Sequence, residues 1–96
     1  MNKIWKFEIK VNDVITINMP KQTKILSLQV QAGIPVIWAL VNPENENEIR
    51  NFELFGTGFD IPYDIEMGSN DRKYIGTFQL VKDEKWFAFH LFEHFN

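Results

Sequence analysis

Val36-Ile37-Trp38-Ala39-Leu40-Val41 is apolar at every position, and its reading decides the fold class. Successive side chains of a strand point to opposite faces, so an unbroken apolar run requires cover on both sides. The run is too short for a buried helix, and turn signals bound it: Ala32-Gly33-Ile34-Pro35 before, and Asn42-Pro43-Glu44-Asn45-Glu46-Asn47-Glu48 after. This segment is expected at the centre of the core or of a dimer interface.

Working outward, every neighbouring segment alternates with a period of two. Leu26, Leu28 and Val30 alternate with Ser27, Gln29 and Gln31, and Gly33 joins them to the apolar run as a hairpin. Further back, Ile15, Ile17 and Met19 alternate with Thr16 and Asn18 and end at Pro20, which cannot donate to a ladder. Trp5, Phe7, Ile9 and Val11 alternate with Lys6, Glu8 and Lys10, and the Asn12-Asp13 turn suggests that these two strands also form a hairpin. Toward the C-terminus come Arg50, Phe52 and Leu54, then Tyr74, Gly76, Phe78 and Leu80, a Lys82-Asp83-Glu84-Lys85 turn and a last strand from Trp86 to Phe92 or Glu93. No window of helical length keeps a 3.6 period. The expectation is an all-β domain spanning residues 1–96: a small antiparallel β-sandwich or partly open β-barrel of about seven strands.

Composition narrows the function classes. The 96 residues include nine Phe, three Trp and two Tyr, enough large rings to build a core without staples. There are no cysteines, so disulfides, thiolate metal sites and cysteine nucleophiles are excluded, and a reducing compartment, the cytoplasm, fits. The N-terminal residues lack a signal-type apolar stretch, and no run is long enough to span a membrane as a helix. The net charge of −3 leaves no broad basic face, which argues against duplex DNA as a partner.

Residues Gly56 to Lys73 carry no clear period, and irregular stretches of that length tend to be functional. Within it, Gly56-Thr57-Gly58 lets backbone approach a ligand and can present N–H groups to an anion, but no Lys-Ser/Thr follows as in a phosphate-binding loop. Phe59, Tyr63 and Tyr74 are rings placed to stack on a planar ligand, and Arg50, Arg72 and Lys73 are cations placed to meet phosphate. The tryptophans Trp5, Trp38 and Trp86 fall on apolar strand faces and are expected in the core.

Catalytic constellations are weak by comparison. His90 and His94 on one strand would stand roughly 13 Å apart, too far for one metal ion. Ser27 and Ser69 lack a nucleophile's setting, and Asp60, Asp64 and Glu66 read as solvated acids. No catalytic residue, metal site or cofactor is therefore expected. The reading is a binding protein for a small anionic or nucleotide-like ligand at Arg50, Gly56, Thr57, Gly58, Phe59, Tyr63, Arg72, Lys73 and Tyr74. Its rival is a protein-interaction module that uses an apolar sheet face or an exposed edge strand as its contact. Open sheet edges also predict a homodimer or higher homo-oligomer.

Several ordered segments together carry a resemblance: Ile4-Trp5-Lys6-Phe7-Glu8, Met19-Pro20-Lys21, Ile25 to Gln31, Trp38-Ala39-Leu40-Val41-Asn42-Pro43, Phe55-Gly56-Thr57-Gly58 and Tyr74-Ile75-Gly76-Thr77-Phe78-Gln79. Across nearly its whole length the chain resembles a family of short phage-encoded proteins known as a domain of unknown function. That family often has His after Gly-Thr-Gly, where this chain has Phe59, so any role of that His has no counterpart here. The resemblance implies a phage accessory protein in the bacterial host cytoplasm, either a sponge for a nucleotide-derived immune signal or a module that inhibits a host protein by direct contact, with a virion structural component as a third possibility. It supplies no catalytic residues.

Overall fold

A computed structural model describes residues 1–61 and 71–95 and contains seven strands. In chain order they are β1 (Lys3–Glu8), β2 (Val14–Pro20), β3 (Lys24–Gln31), β4 (Ile34–Val41), β5 (Asn47–Gly56), β6 (Arg72–Lys82) and β7 (Lys85–His94). They form two antiparallel sheets, a three-stranded sheet β1-β4-β3 and a four-stranded sheet β2-β5-β7-β6, stacked as a small sandwich with no closed barrel. The all-β expectation holds, and the sandwich is the form it takes.

The apolar run occupies β4, the central strand of its sheet. Its inward residues Ile37, Ala39 and Val41 meet Ile15, Met19, Phe52, Leu54, Phe78 and Leu91 of the other sheet in one buried cluster. Its outward residue Trp38 is half-buried, and its indole N–H donates to Gln29 Oε1 at 3.0 Å. Lys6 Nζ crosses the same outer surface to donate to Gln31 Oε1 at 2.9 Å. Long polar side chains thus supply the second cover that the run requires.

One expected pairing is wrong. β1 and β2 do not form a hairpin: β1 pairs with β4, and β2 pairs with β5. The chain changes sheets at residues 9–13, where Ile9 enters the core and the Ile9 amide donates to the Pro35 carbonyl at 2.9 Å. Local alternation reports which face is buried, not which strand is the partner. The first strand also ends at Glu8, short of the alternation that runs on to Val11.

Two true hairpins frame one end of the sandwich. Ala32 and Gly33 (φ 51° and 80°) turn β3 into β4, and Asp83 and Glu84 (φ 53° and 64°) turn β6 into β7. Positive φ at both central residues matches the right-handed twist of the strands. Gly33 is the residue suited to that conformation, and Gly33→Ala is expected to cost about 1 kcal/mol, read as a lower urea midpoint. On the flank where β3 and β6 run together, Gly76 allows close approach: a Cβ there would stand 3.2 Å from Leu28 Cδ2.

The tryptophans depart from expectation. Trp86 is 69% exposed because it points to the face of β7 opposite Phe87, Trp38 lies half-buried on the outer face of β4, and Trp5 is 39% exposed. Among the described residues no helix is long and apolar enough to cross a membrane.

Candidate functional site

The residues singled out from the sequence do not form one site. Arg50 points inward beside the core and is held by Glu93: its Nε donates to Glu93 Oε2 at 2.6 Å and its Nη2 to Glu93 Oε1 at 2.7 Å. Its Nη1 donates to the Thr23 carbonyl at 2.5 Å, tying the β2–β3 turn to β5 and β7. The side chains are 17% and 4% exposed, so this is a bidentate pair largely withdrawn from water. Hydrogen bonding to Glu93, with that carboxylate's charge, holds the guanidinium above its already high ordinary pKa in spite of burial. Arg50 is thus already neutralised by a structural partner.

Arg72 lies on the opposite face of the same sheet. It is directly across from His94, and its Nε donates to Glu53 Oε1 at 2.7 Å. His94 Nδ1 approaches the same Glu53 oxygen at 3.9 Å. Arg50 and Arg72 therefore cannot grip one ligand together, because the sheet separates them.

Gly56, Thr57, Gly58 and Phe59 form a tight turn at the end of β5. The Phe59 amide donates to the Gly56 carbonyl at 3.0 Å, and the Thr57 amide donates to Ala88 at 3.3 Å. Both N–H groups are used by the fold. Gly58 has φ 86°, and the Phe59 ring folds back over Gly56, where an added Cβ would meet it at 3.4 Å. Tyr63 lies outside the described residues.

Two groupings do bring selected residues together. The first is a chain of hydrogen bonds on the outer face of β5, β7 and β6. Thr57 Oγ1 meets His90 Nε2 at 2.8 Å, His90 Nδ1 meets Thr77 Oγ1 at 2.9 Å, and Thr77 Oγ1 meets the Tyr74 hydroxyl at 2.5 Å. Both imidazole nitrogens are occupied by hydroxyls, and rings flank the chain: Tyr74 and Phe55 each pack edge-on to Phe92, at 5.5 and 5.7 Å. Sequence reasoning missed Thr77 and considered His90 only as a metal ligand. The signal was present, because counting back from the Lys82–Lys85 turn places Thr77 opposite His90.

The second grouping is a cavity of about 310 Å³ between β3 and β6. Arg50, Lys73 and Tyr74 line it with Lys24, Ser27 and Glu93. Arg50 and Glu93 cancel one another there, whereas Lys24 and Lys73 have no ion-pair partner among the described residues. The local balance is positive although the whole chain is acidic.

A larger cavity of about 780 Å³ opens at the end of the sandwich, between the β3–β4 and β6–β7 turns. Val30, Leu80, Phe87 and Phe89 line it, and Trp86 and Lys82 stand at its rim. No residue selected from the sequence lies there. Among the described residues no cluster of three or more His, Asp or Glu side chains could hold a metal ion.

Fold and sites define a small two-sheet β-sandwich with polar and apolar recesses at the margins of its sheets. The chain belongs to the family described as Domain of unknown function (DUF7352), which matches residues 1–96. No curated protein and no solved structure is significantly similar to it.

Proposed function

We propose that this protein acts by binding without turnover, taking a small anionic or nucleotide-like ligand in the cavity between β3 and β6. The observation that carries the reading is the convergence there of Lys24 and Lys73, two cations without ion-pair partners among the described residues, beside the Ser27 hydroxyl. Ammonium groups meet phosphate or carboxylate, and the hydroxyl can hydrogen-bond to the same anion. Arg50 serves this site by shaping its wall, not by contacting the anion. The resemblance to short phage-encoded proteins supports a setting in the host cytoplasm, where holding an immune signal out of solution would suffice.

Calorimetric titration with pyrophosphate, AMP and a cyclic dinucleotide tests the reading. At least one should bind, and the double variant Lys24→Ala/Lys73→Ala should weaken it by roughly tenfold or more while the melting temperature stays within a few degrees. Equal affinity in the variant, or no binding by any of the three, would remove this function. Native mass spectrometry of gently purified protein adds a second readout, a retained small molecule lost on denaturation.

A second reading, contact with a host protein or a second copy, is favoured by the sheet edges on one flank. β3 carries no charge from Ile25 to Gln31, and β6 carries none from Tyr74 to Val81. Edges without charge invite strand addition wherever β3 and β6 do not cover one another. Light scattering showing a strict monomer at high concentration would remove the homodimer, and a co-purifying host protein would favour this reading over the ligand.

A further inference from the structure

Leu80-Val81 and Trp86-Phe87 flank the β6–β7 turn and break the alternation of their strands, so the two rungs below the charged hairpin tip are apolar on both faces. Leu80 and Phe87 are directly opposed, on the face that looks into the 780 Å³ cavity, and Val30 of β3 forms its other wall. Phe87 remains 45% exposed and Val30 39% exposed. The core thus continues into an unfilled apolar mouth whose volume lies in the range of small-molecule sites.

Two rungs outward from Leu80 and Phe87, past Val81 and Trp86, Lys82 and Lys85 are directly opposed. Lys82 lines the mouth, and Lys85 lies across from it, two positions along from Phe87 on the same face of β7. Like charges directly opposite on a hairpin repel. Neither ammonium has an ion-pair partner among the described residues, and the carboxylates of Asp83 and Glu84 in the turn do not pair with them. An apolar recess closed by two unopposed cations matches a ligand with an apolar body and an anionic head.

We propose that the mouth binds an amphipathic monoanion, an alkyl or aryl chain ending in a carboxylate or sulfonate. The chain lies between Val30 and the Leu80–Phe87 rung, and the head sits between Lys82 and Lys85. This site is separate from the polar cavity between β3 and β6, so either can fail without the other.

The test uses the full chain with octanoate, decanoate and dodecanoate, each below its micelle concentration, followed by displacement of anilinonaphthalene sulfonate and by amide chemical shifts. Affinity should rise roughly fourfold per added methylene until the mouth is full. Shifts should concentrate at residues 79–89. The double variant Lys82→Gln/Lys85→Gln, on an exposed hairpin tip, should weaken dodecanoate by about tenfold and leave dodecanol unchanged. The proposal is overturned by any of four results: no binding up to about 1 mM, equal affinity for dodecanoate and dodecanol, shifts confined to other residues, or a concentration-dependent dimer that buries the mouth.

Discussion

Arg50→Met is expected to remove about 3 kcal/mol of folding stability, near the largest effect of any single substitution outside the hydrophobic core. The cause is what it leaves behind. Glu93 is 4% exposed, and without the guanidinium its carboxylate keeps its desolvation penalty but loses both strong hydrogen bonds. The Thr23 carbonyl loses its donor in the same step. For a domain of this length a loss of that size lowers the melting temperature by more than 10 °C. Glu93→Leu alone should cost a similar amount, whereas Arg50→Met/Glu93→Leu should recover most of it, because the buried charge is then gone from both partners. Urea denaturation of the four proteins measures this cycle, and singles within about 0.5 kcal/mol of the parent would show that the pair holds nothing together. The sign with pH follows from the raised arginine pKa: its contribution is complete below the guanidinium's ordinary range and is lost only as pH rises through the raised value.

Phe52→Ala should destabilise by about 3 to 5 kcal/mol, the expected range for deleting a buried ring and leaving a cavity. Phe52 is fully buried and stands opposite Ile15 on one side and Glu93 on the other. Its ring fills space between the sheets, two positions along β5 from Arg50 and directly across from Glu93. Two results would follow. The urea midpoint should fall with an unchanged slope, and the cost of Phe52→Ala should shrink when Arg50 and Glu93 have already been replaced, because neighbouring substitutions are not additive. Strict additivity would separate the ring from the ion pair.

The architecture was legible where the signal is local. Alternation located β1, β2, β3, β5 and β6, the apolar concentration after the Lys82–Lys85 turn located β7, and the unbroken β4 run announced a strand covered on both faces. Both hairpins with two-residue turns were readable from Ala32-Gly33 and from the charged Lys82–Lys85 turn. Pairing between distant strands was not, because a strand's face pattern is the same whichever neighbour it meets, and so β1 and β2 were joined when they belong to different sheets. The candidate site suffered from the same limit. Arg50 and Arg72 look alike in sequence, but residue parity on opposite sides of β7 sends one into the core beside Glu93 and the other to the outer surface beside Glu53. Lys73 and Tyr74 were found because they adjoin the irregular segment, while Lys24 arrives from β3, a partner that only the sandwich supplies.

The change of sheet at residues 9–13 has a consequence for how the chain reaches this structure. Only β3–β4 and β6–β7 can zip from a local turn; β1–β4 and β2–β5 must each close across tens of intervening residues. Such a topology belongs to the slower regime of small domains, with refolding on the millisecond-to-second scale, and it orders events: two hairpins early, the N-terminal strands last. Until β2 docks on β5, Phe52 has one side open, so an N-terminally truncated chain that lacks β2 would expose apolar surface there and be prone to aggregate.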